Sequence, residues 1–361
     1  MSGKTNFDPD EKKQKLLAEI EKAVTSPVHV MAVCSGYKVT IRKHHLFRQL
    51  PEQIHIHYGP GCPACLSSPV FIDKLVEYSK RGNVIIATYG DLLGIPGSSS
   101  TLEKARMDGA GIRVIHSIMD ALTLAKKNRR KRIIFPAVGF ESAASSTAAG
   151  ILQAKVAGIF NFHVLCDHKR MLSGMEAVLQ RDDVPVDGVI SSGRVAASMG
   201  ANYFRKVTEK YHKPQVISGY ESKDVLEAIL HLVKQINNKT AVPENLFPAV
   251  VTAEGNPKSQ QLLEEVFEVS DAEWTGFGKI KSSGFKIKKT YRMHNAEEVF
   301  FDVETPEPVS PEGCLCDEIM RGIKVPADCR YFTKTCNPIH AIGACMYSEE
   351  GPCRVDFLFG R

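Results

Sequence analysis

Apolar residues in this chain come in short unbroken runs. "VHVMAV" (28–33), "NVIIATYG" (83–90), "GIRVIHS" (111–117), "RIIFPAV" (132–138), "NFHVLC" (161–166), "DGVIS" (187–191) and "PQVIS" (214–218) each read as a strand buried on both faces. Between them apolar positions recur at helical spacing, over 69–80, 101–108, 117–128, 142–156, 170–180 and 221–236. Buried strands alternating with amphipathic helices predict α/β architecture with parallel sheets covered on both faces. The expectation is two similar α/β domains, over 30–155 and 156–275, after an N-terminal helical segment at 1–29. Beyond about residue 276 the periodicity fades, and Cys, Gly and Pro accumulate. This predicts a small Cys-rich domain over 276–361, held together by something other than a large apolar core.

In open parallel sheets, ligands collect at the C-terminal ends of strands. Cys34, Thr88 to Asp91, Gly139-Phe140-Glu141, Ser191 to Arg194 and Gly219-Tyr220-Glu221 all fall at such ends. One glycine turn alone is explained by strand-to-helix geometry; several together predict a crevice facing one region. Glu141 sits where a helix begins, so its charge complements the helix dipole. His55 and His57 alternate along "QIHIHYG" and share one face if that stretch is a strand. A polar strand face beside a loop is the simpler reading of them than a metal site. Trp274 reads as packing between domains, and Cys166 as a small buried hydrophobe.

Composition narrows the function classes. Hydrophobic residues make up 43% and charged residues 24%, as in ordinary globular proteins. The net charge of +5 (46 basic, 41 acidic) argues for neither a nucleic-acid nor a membrane partner. The basic run "KKNRRKR" (126–132) reads as a local solvated loop. No apolar stretch approaches the ~18 residues of a membrane span. The polar start "MSGKTNFDPDEKKQK" has no secretory leader. These features predict a cytoplasmic protein. There is no Walker-type nucleotide loop.

The cysteines do not fit ordinary core use. There are ten, and in a reducing compartment that points to metal or redox work. Cys34, Cys62 and Cys65 come early and Cys166 mid-chain, while Cys314, Cys316, Cys329, Cys336, Cys345 and Cys353 crowd the tail. Cys62 and Cys65 lie in "YGPGCPACLSS", a loop stiffened by Pro60 and Pro63. Ser68-Pro69 looks like the start of the next helix. A thiol near a helix N-terminus is more easily ionised, so the loop is expected to hold reactive, partly exposed sulfurs. Zinc would need a second pair within about 20 residues, and the next cysteine is Cys166. The six tail thiols exceed one tetrahedral zinc. Four suit an iron–sulfur cluster, leaving two able to pair as a disulfide. A structural zinc with two idle cysteines is the other reading of the spacing.

The chain resembles the HypD family, the scaffold proteins that help build the Fe(CN)2CO unit of nickel–iron hydrogenases. The resemblance spans nearly all of it. It is carried by "GPGCPAC" (59–65), "TYGDLLGIPGSSSTLEKARMDGA" (88–110), "AVGFESAASSTA" (137–148), "EGNPKSQQLLEEVFEVSDAEWTGFG" (254–278) and the tail "GCLCDEIMRGIKVPADCRYFTKTCNPIHAIGACMYSEEGPC" (313–353). It implies two similar α/β domains plus a cluster domain. It further implies that Cys314, Cys329, Cys336 and Cys353 ligate a 4Fe-4S cluster, with Cys316 and Cys345 as an adjacent redox pair. Cys62 and Cys65 would be a second such pair. Cys34 would help hold Fe(II) while it carries CN and CO. Glu141 gains a functional role because its motif is covered. The implied partners are a small HypC-like chaperone, the cyanide-supplying HypE and HypF and, indirectly, the hydrogenase large subunit. The implied role is assembly with redox activity rather than turnover catalysis. A cluster delivers single electrons and a dithiol pair two, so thiol pairs between cluster and iron would link the two.

Three stretches depart from the family pattern. The usual Cys-Gly-Gly-His-Thr is here Cys34-Ser35-Gly36-Tyr37-Lys38, Gly-Phe-Glu-Thr-Thr is Gly139-Phe140-Glu141-Ser142-Ala143, and a later Gly-His is Gly193-Arg194. The cluster tail is intact. Lys38 and Arg194 add positive charge near the iron-handling side, which suits an anionic ligand or another partner. The alternative reading is therefore a HypD-like thiol–disulfide oxidoreductase or metal-transfer protein for a different iron-centre client.

Overall fold

The computed structural model describes residues 9–309 and 311–360. The first eight residues of the expected N-terminal segment lie outside the described residues, and a helix spans Pro9–Ala23 within that segment. The strands are β1 (Val28–Val33), β2 (Ile54–Tyr58), β3 (Val84–Thr88), β4 (Ile112–Val114), β5 (Arg132–Gly139), β6 (Phe162–His168), β7 (Gly188–Ser192), β8 (Gln215–Ser218), β9 (Pro243–Asn245), β10 (Phe267–Trp274) and β11 (Gly278–Ile287). The fold is α/β. One sheet runs β2-β1-β7-β8-β9 and another β4-β3-β5-β6, and all pairings in both are parallel. A Cys-rich C-terminal segment follows.

The strands are not shared between the sheets as a division at residue 155 requires. The chain lays down β1 and β2, leaves to build β3 to β6, and returns for β7 to β9. β6, expected to open the second unit, pairs with β5 in the sheet of the first. Apolar runs identify strands but carry no record of their neighbours, so the return was not readable. β10 and β11 form an antiparallel hairpin across the expected 275/276 boundary. Exposed polar positions such as Glu268 and Lys279 break up its apolar signal.

Each helix predicted from periodicity is present, from Pro69–Ser79 to Ser222–Asn237. The Cys-rich tail does not stand apart from the apolar interior. Cys316, Ile319, Met320, Cys345, Met346 and Cys353 are buried in the same cluster as Met31, Val33, Ile72 and Ile86. Trp274 packs over Gly174, where a Cβ would meet its ring at 2.5 Å, and its indole N–H donates to Ser283 Oγ at 2.9 Å. Among the described residues no helix is long and apolar enough to cross a membrane.

Candidate functional site

Cys34 follows β1 directly and caps the helix Ser35–Lys43 in an extended conformation. The strand end places its sulfur where parallel sheets gather ligands. The Tyr220 hydroxyl, beyond the end of β8, lies 3.5 Å from Cys34 Sγ. That hydroxyl is 2.9 Å from Ser192 Oγ and accepts the Arg194 backbone N–H at 3.3 Å. The Arg194 guanidinium stands 4.7 Å over the Tyr220 ring. Burial pushes the Cys34 thiol above its ordinary pKa, while the Tyr220 hydrogen bond pulls the other way. The strand ends at Cys34, Ser192–Arg194 and Tyr220, all in one sheet, thus converge, whereas those at Thr88 and Gly139 belong to the other sheet and do not join this group.

The thiol loop lies against this end. Ser35 donates its hydroxyl to Gly61 O at 2.9 Å. A Cβ on Gly61 would meet Ser35 N at 2.5 Å and Cys34 Cα at 2.7 Å, so only glycine permits this approach. A small cavity lined by both Cys34 and Cys62 separates the two thiol positions. Cys62 and Cys65 form a disulfide. Cys62 caps the single turn Pro63–Leu66 and accepts the Cys65 N–H at 3.3 Å. The sulfurs are not partly exposed as expected: Cys62 is 2% and Cys65 0% accessible. The cover comes from the tail. Ser348 Oγ lies 3.3 Å from Cys62 Sγ, and Ala344 O lies 3.9 Å from Cys65 Sγ. Residues some 280 positions away gave the loop no sequence signal.

Ala344 leads into Cys345, whose sulfur is 3.2 Å from Cys353 Sγ. Hydrogen bonding with Cys316 and Cys353, then burial, holds the Cys345 thiol well above its ordinary pKa. Gly343 lets two more sulfurs in, since a Cβ there would meet Cys314 Sγ at 3.2 Å and Cys316 Sγ at 3.4 Å. Burial pushes Cys314 up to about 12, and the charges of Cys316, Cys329 and Cys353 add to it. Burial also raises Cys336, which feels Cys353 and Cys329 and accepts the Ile342 N–H at 3.4 Å. Cys314, Cys329, Cys336 and Cys353 therefore share one electrostatic neighbourhood, with Cys316 and Cys345 inside it.

That donor set suits an iron–sulfur cluster. Buried thiols gathered in one nest are the soft sulfur donors that iron in such clusters prefers. N–H groups directed at sulfur are a known means of tuning such clusters. Among the described residues no three His, Cys, Asp or Glu side chains are close enough to hold one metal ion. A cubane cluster spreads its four thiolates over separate irons and needs no such convergence.

Other candidates lie elsewhere. Glu141 is fully buried, accepting the Met171 N–H at 3.0 Å and the Tyr203 hydroxyl; burial raises its pKa. Neither partner belongs to the line of thiols. His55 and His57 do share a strand face, joined by His29, whose Nδ1 is 2.9 Å from His57 Nε2. Cys166 faces Phe285 O at 3.3 Å, and burial lifts it to about 12. Tyr37 is buried, its hydroxyl 2.8 Å from both Ser191 O and Ser218 O. Lys38 and Arg194 do not stand as free positive charge. Lys38 Nζ is 3.2 Å from Asp356 and Arg194 is 3.5 Å from Glu350. Sequence reasoning missed Glu350, Ser348 and Asp356. Their only signal was nearness to Cys345 and Cys353.

Fold and site together define an α/β protein with a thiol at the end of its first strand, a disulfide loop beside it and a six-cysteine nest behind. The HypD family model, described as the hydrogenase formation hypA family, matches residues 11–360, and the chain belongs to that family. It is 35% identical to the hydrogenase maturation factor HypD of Rhodobacter capsulatus over 96% of this chain and 93% of that one. It is 37% identical to the hydrogenase expression/formation protein HupD of Azotobacter chroococcum, over 92% and 89%. With the HypD of Escherichia coli it shares 35% identity, over 91% and 88%.

Proposed function

We propose that this protein is a cytoplasmic hydrogenase maturation factor that carries Fe(II) during assembly of the Fe(CN)2CO unit. Cys34 supplies a thiolate to the iron, which is cargo rather than a resident cofactor. Cys314, Cys329, Cys336 and Cys353 hold a 4Fe-4S cluster, which supplies single electrons. Cys316 with Cys345, and Cys62 with Cys65, exchange electron pairs by thiol–disulfide chemistry. A HypC-like chaperone docks near Cys34 and completes the iron's thiolate set. HypE and HypF deliver cyanide, and the hydrogenase large subunit receives the product indirectly.

The observation that carries this reading is the succession of sulfurs. Cys34 and Cys62 line one cavity, Cys65 abuts Ala344, and Cys345 lies 3.2 Å from Cys353. Complementation tests it directly. The gene should restore hydrogenase activity in a host lacking its own HypD, and Cys34→Ser should fail to. No restoration, with the protein soluble and its cluster loaded, counts against hydrogenase as the client.

One observation favours the second reading, a thiol–disulfide oxidoreductase or metal-transfer protein for another iron centre. Tyr37 replaces the family's histidine and turns its hydroxyl to two backbone carbonyls, offering the iron no nitrogen. Capture of a different metal-carrying client, without a HypC-like partner, would favour it.

A further inference from the structure

Two acidic residues of the tail meet the helix behind Cys34. Asp356 Oδ2 is 3.2 Å from Lys38 Nζ and Oδ1 is 2.8 Å from Arg42 Nε, with Lys38 and Asp356 side chains only 4% and 10% exposed. Glu350 Oε2 lies 2.5 Å from Ser35 Oγ, sharing its one hydroxyl proton with Gly61 O, and Glu350 pairs with Arg194 at 3.5 Å. Lys38 and Arg194 are two of the positions where the chain departs from its family's pattern, and each is answered by a tail acid. Glu350, Lys38 and Ser35 also line the cavity that holds Cys34 and Cys62.

The tail acids are packed tightly to Cys345. The Gly351 N–H donates to Ser348 O at 2.9 Å, and a Cβ on Gly351 would stand 2.3 Å from Cys345 O. The helix Pro352–Phe359, bearing Cys353 and Asp356, begins at once. Fixing Glu350 and Asp356 therefore fixes Cys345 behind Ala344 and over the Cys62–Cys65 loop.

We infer that Glu350 and Asp356 are positioning residues: through Ser35, Lys38, Arg42 and Arg194 they clamp the Cys345 segment to the Cys34 helix, and so set the rate of disulfide exchange between the tail pair and the loop pair. The inference rests on the relay reading above. In that exchange Cys345 thiolate attacks Cys65, the Cys62–Cys65 bond breaks, and Cys62 leaves as thiolate. Cys316 then attacks Cys345, releasing Cys65 and closing a Cys316–Cys345 disulfide. Two electrons pass from tail to loop, and the protons lost by Cys316 and Cys345 are taken up by Cys62 and Cys65. Such attack depends steeply on the placement of the reacting atoms.

The test uses anaerobic, cluster-loaded, fully reduced protein given one equivalent of a disulfide oxidant. Acid quenching, alkylation and mass spectrometry follow how the disulfide redistributes between the pairs. Two neutralised variants are compared, Glu350→Gln with Arg194→Gln and Asp356→Asn with Lys38→Thr; if the second does not fold, the first decides. Redistribution should slow roughly tenfold to a hundredfold, with iron content held in both variants and the melting temperature held in the first. Neutralised variants that exchange at the wild-type rate overturn the clamp. A wild-type disulfide that never redistributes overturns the relay reading instead, and the clamp with it.

Discussion

At Gly61 the absence of a side chain decides how closely two thiol-bearing segments lie. A methyl group there would meet backbone on Ser35 and Cys34 at 2.5–2.7 Å, and backbone cannot step aside as a flexible side chain can. Gly61→Ala should destabilise the protein by about 1–3 kcal/mol, read as a lowered melting temperature, and should loosen the cavity shared by Cys34 and Cys62. An unchanged melting temperature would mean the loop has room to give. A second prediction concerns buried imidazoles. Burial pushes both His163 and His168 down to about 4. His168 Nε2 lies 2.8 Å from Thr147 Oγ1, and His163 Nδ1 lies 2.9 Å from Met293 O, a contact that works against burial by favouring the charged ring. Between the unfolded value of about 6.5 and about 4, the unfolded chain binds more protons than the folded one. Stability is thus fully present above pH 6.5 and falls as the pH drops toward 4, by about 3 kcal/mol at most for each histidine. His168→Gln should flatten the loss of melting temperature over that range; an equal slope in the variant would contradict the assignment.

At the level of elements, the proposed function divides the tail's cysteines between two jobs. Replacing Cys314, Cys329, Cys336 or Cys353 by Ser should abolish the brown cluster absorbance, whereas Cys316→Ser or Cys345→Ser should leave it. Full iron and sulfide in a variant lacking all four ligands would refute the assignment. How much of this was legible follows from where the information sits. β1, β3, β5 and β6 were plain because burial on both faces gives an unbroken apolar run. The helix over Ser222–Asn237 was legible from its periodicity. The β10–β11 hairpin was not, because exposed residues on both faces, such as Glu268 and Val269, and a bulge leave neither an apolar run nor a clean alternation. The burial of Cys62 and Cys65 was invisible too, since Ala344 and Ser348 supply the cover. The positive charge of Lys38 and Arg194 was readable, but its partners Asp356 and Glu350 come together only in three dimensions.

For the whole molecule, the return of the chain for β7 to β9 brings Ser192, Arg194 and Tyr220 beside Cys34, so the candidate iron site is drawn from segments nearly 190 residues apart. The tail packs over that site, with Glu350 and Pro352 lining the cavity beside Cys34, and the proposed function has a partner dock near this end. Co-purification from the native host should recover a small HypC-like protein, and Cys34→Ser should weaken its capture. The central claim is that Cys34 holds iron while a separate cluster stays in the tail. Infrared spectroscopy of the anaerobically purified protein, co-expressed with its maturation partners, tests it most directly. Wild-type protein should show cyanide and carbonyl stretching bands together with cluster iron and sulfide; Cys34→Ser should lose the bands and keep the cluster. Bands that survive in Cys34→Ser, or a loaded wild-type protein with none, would contradict the account.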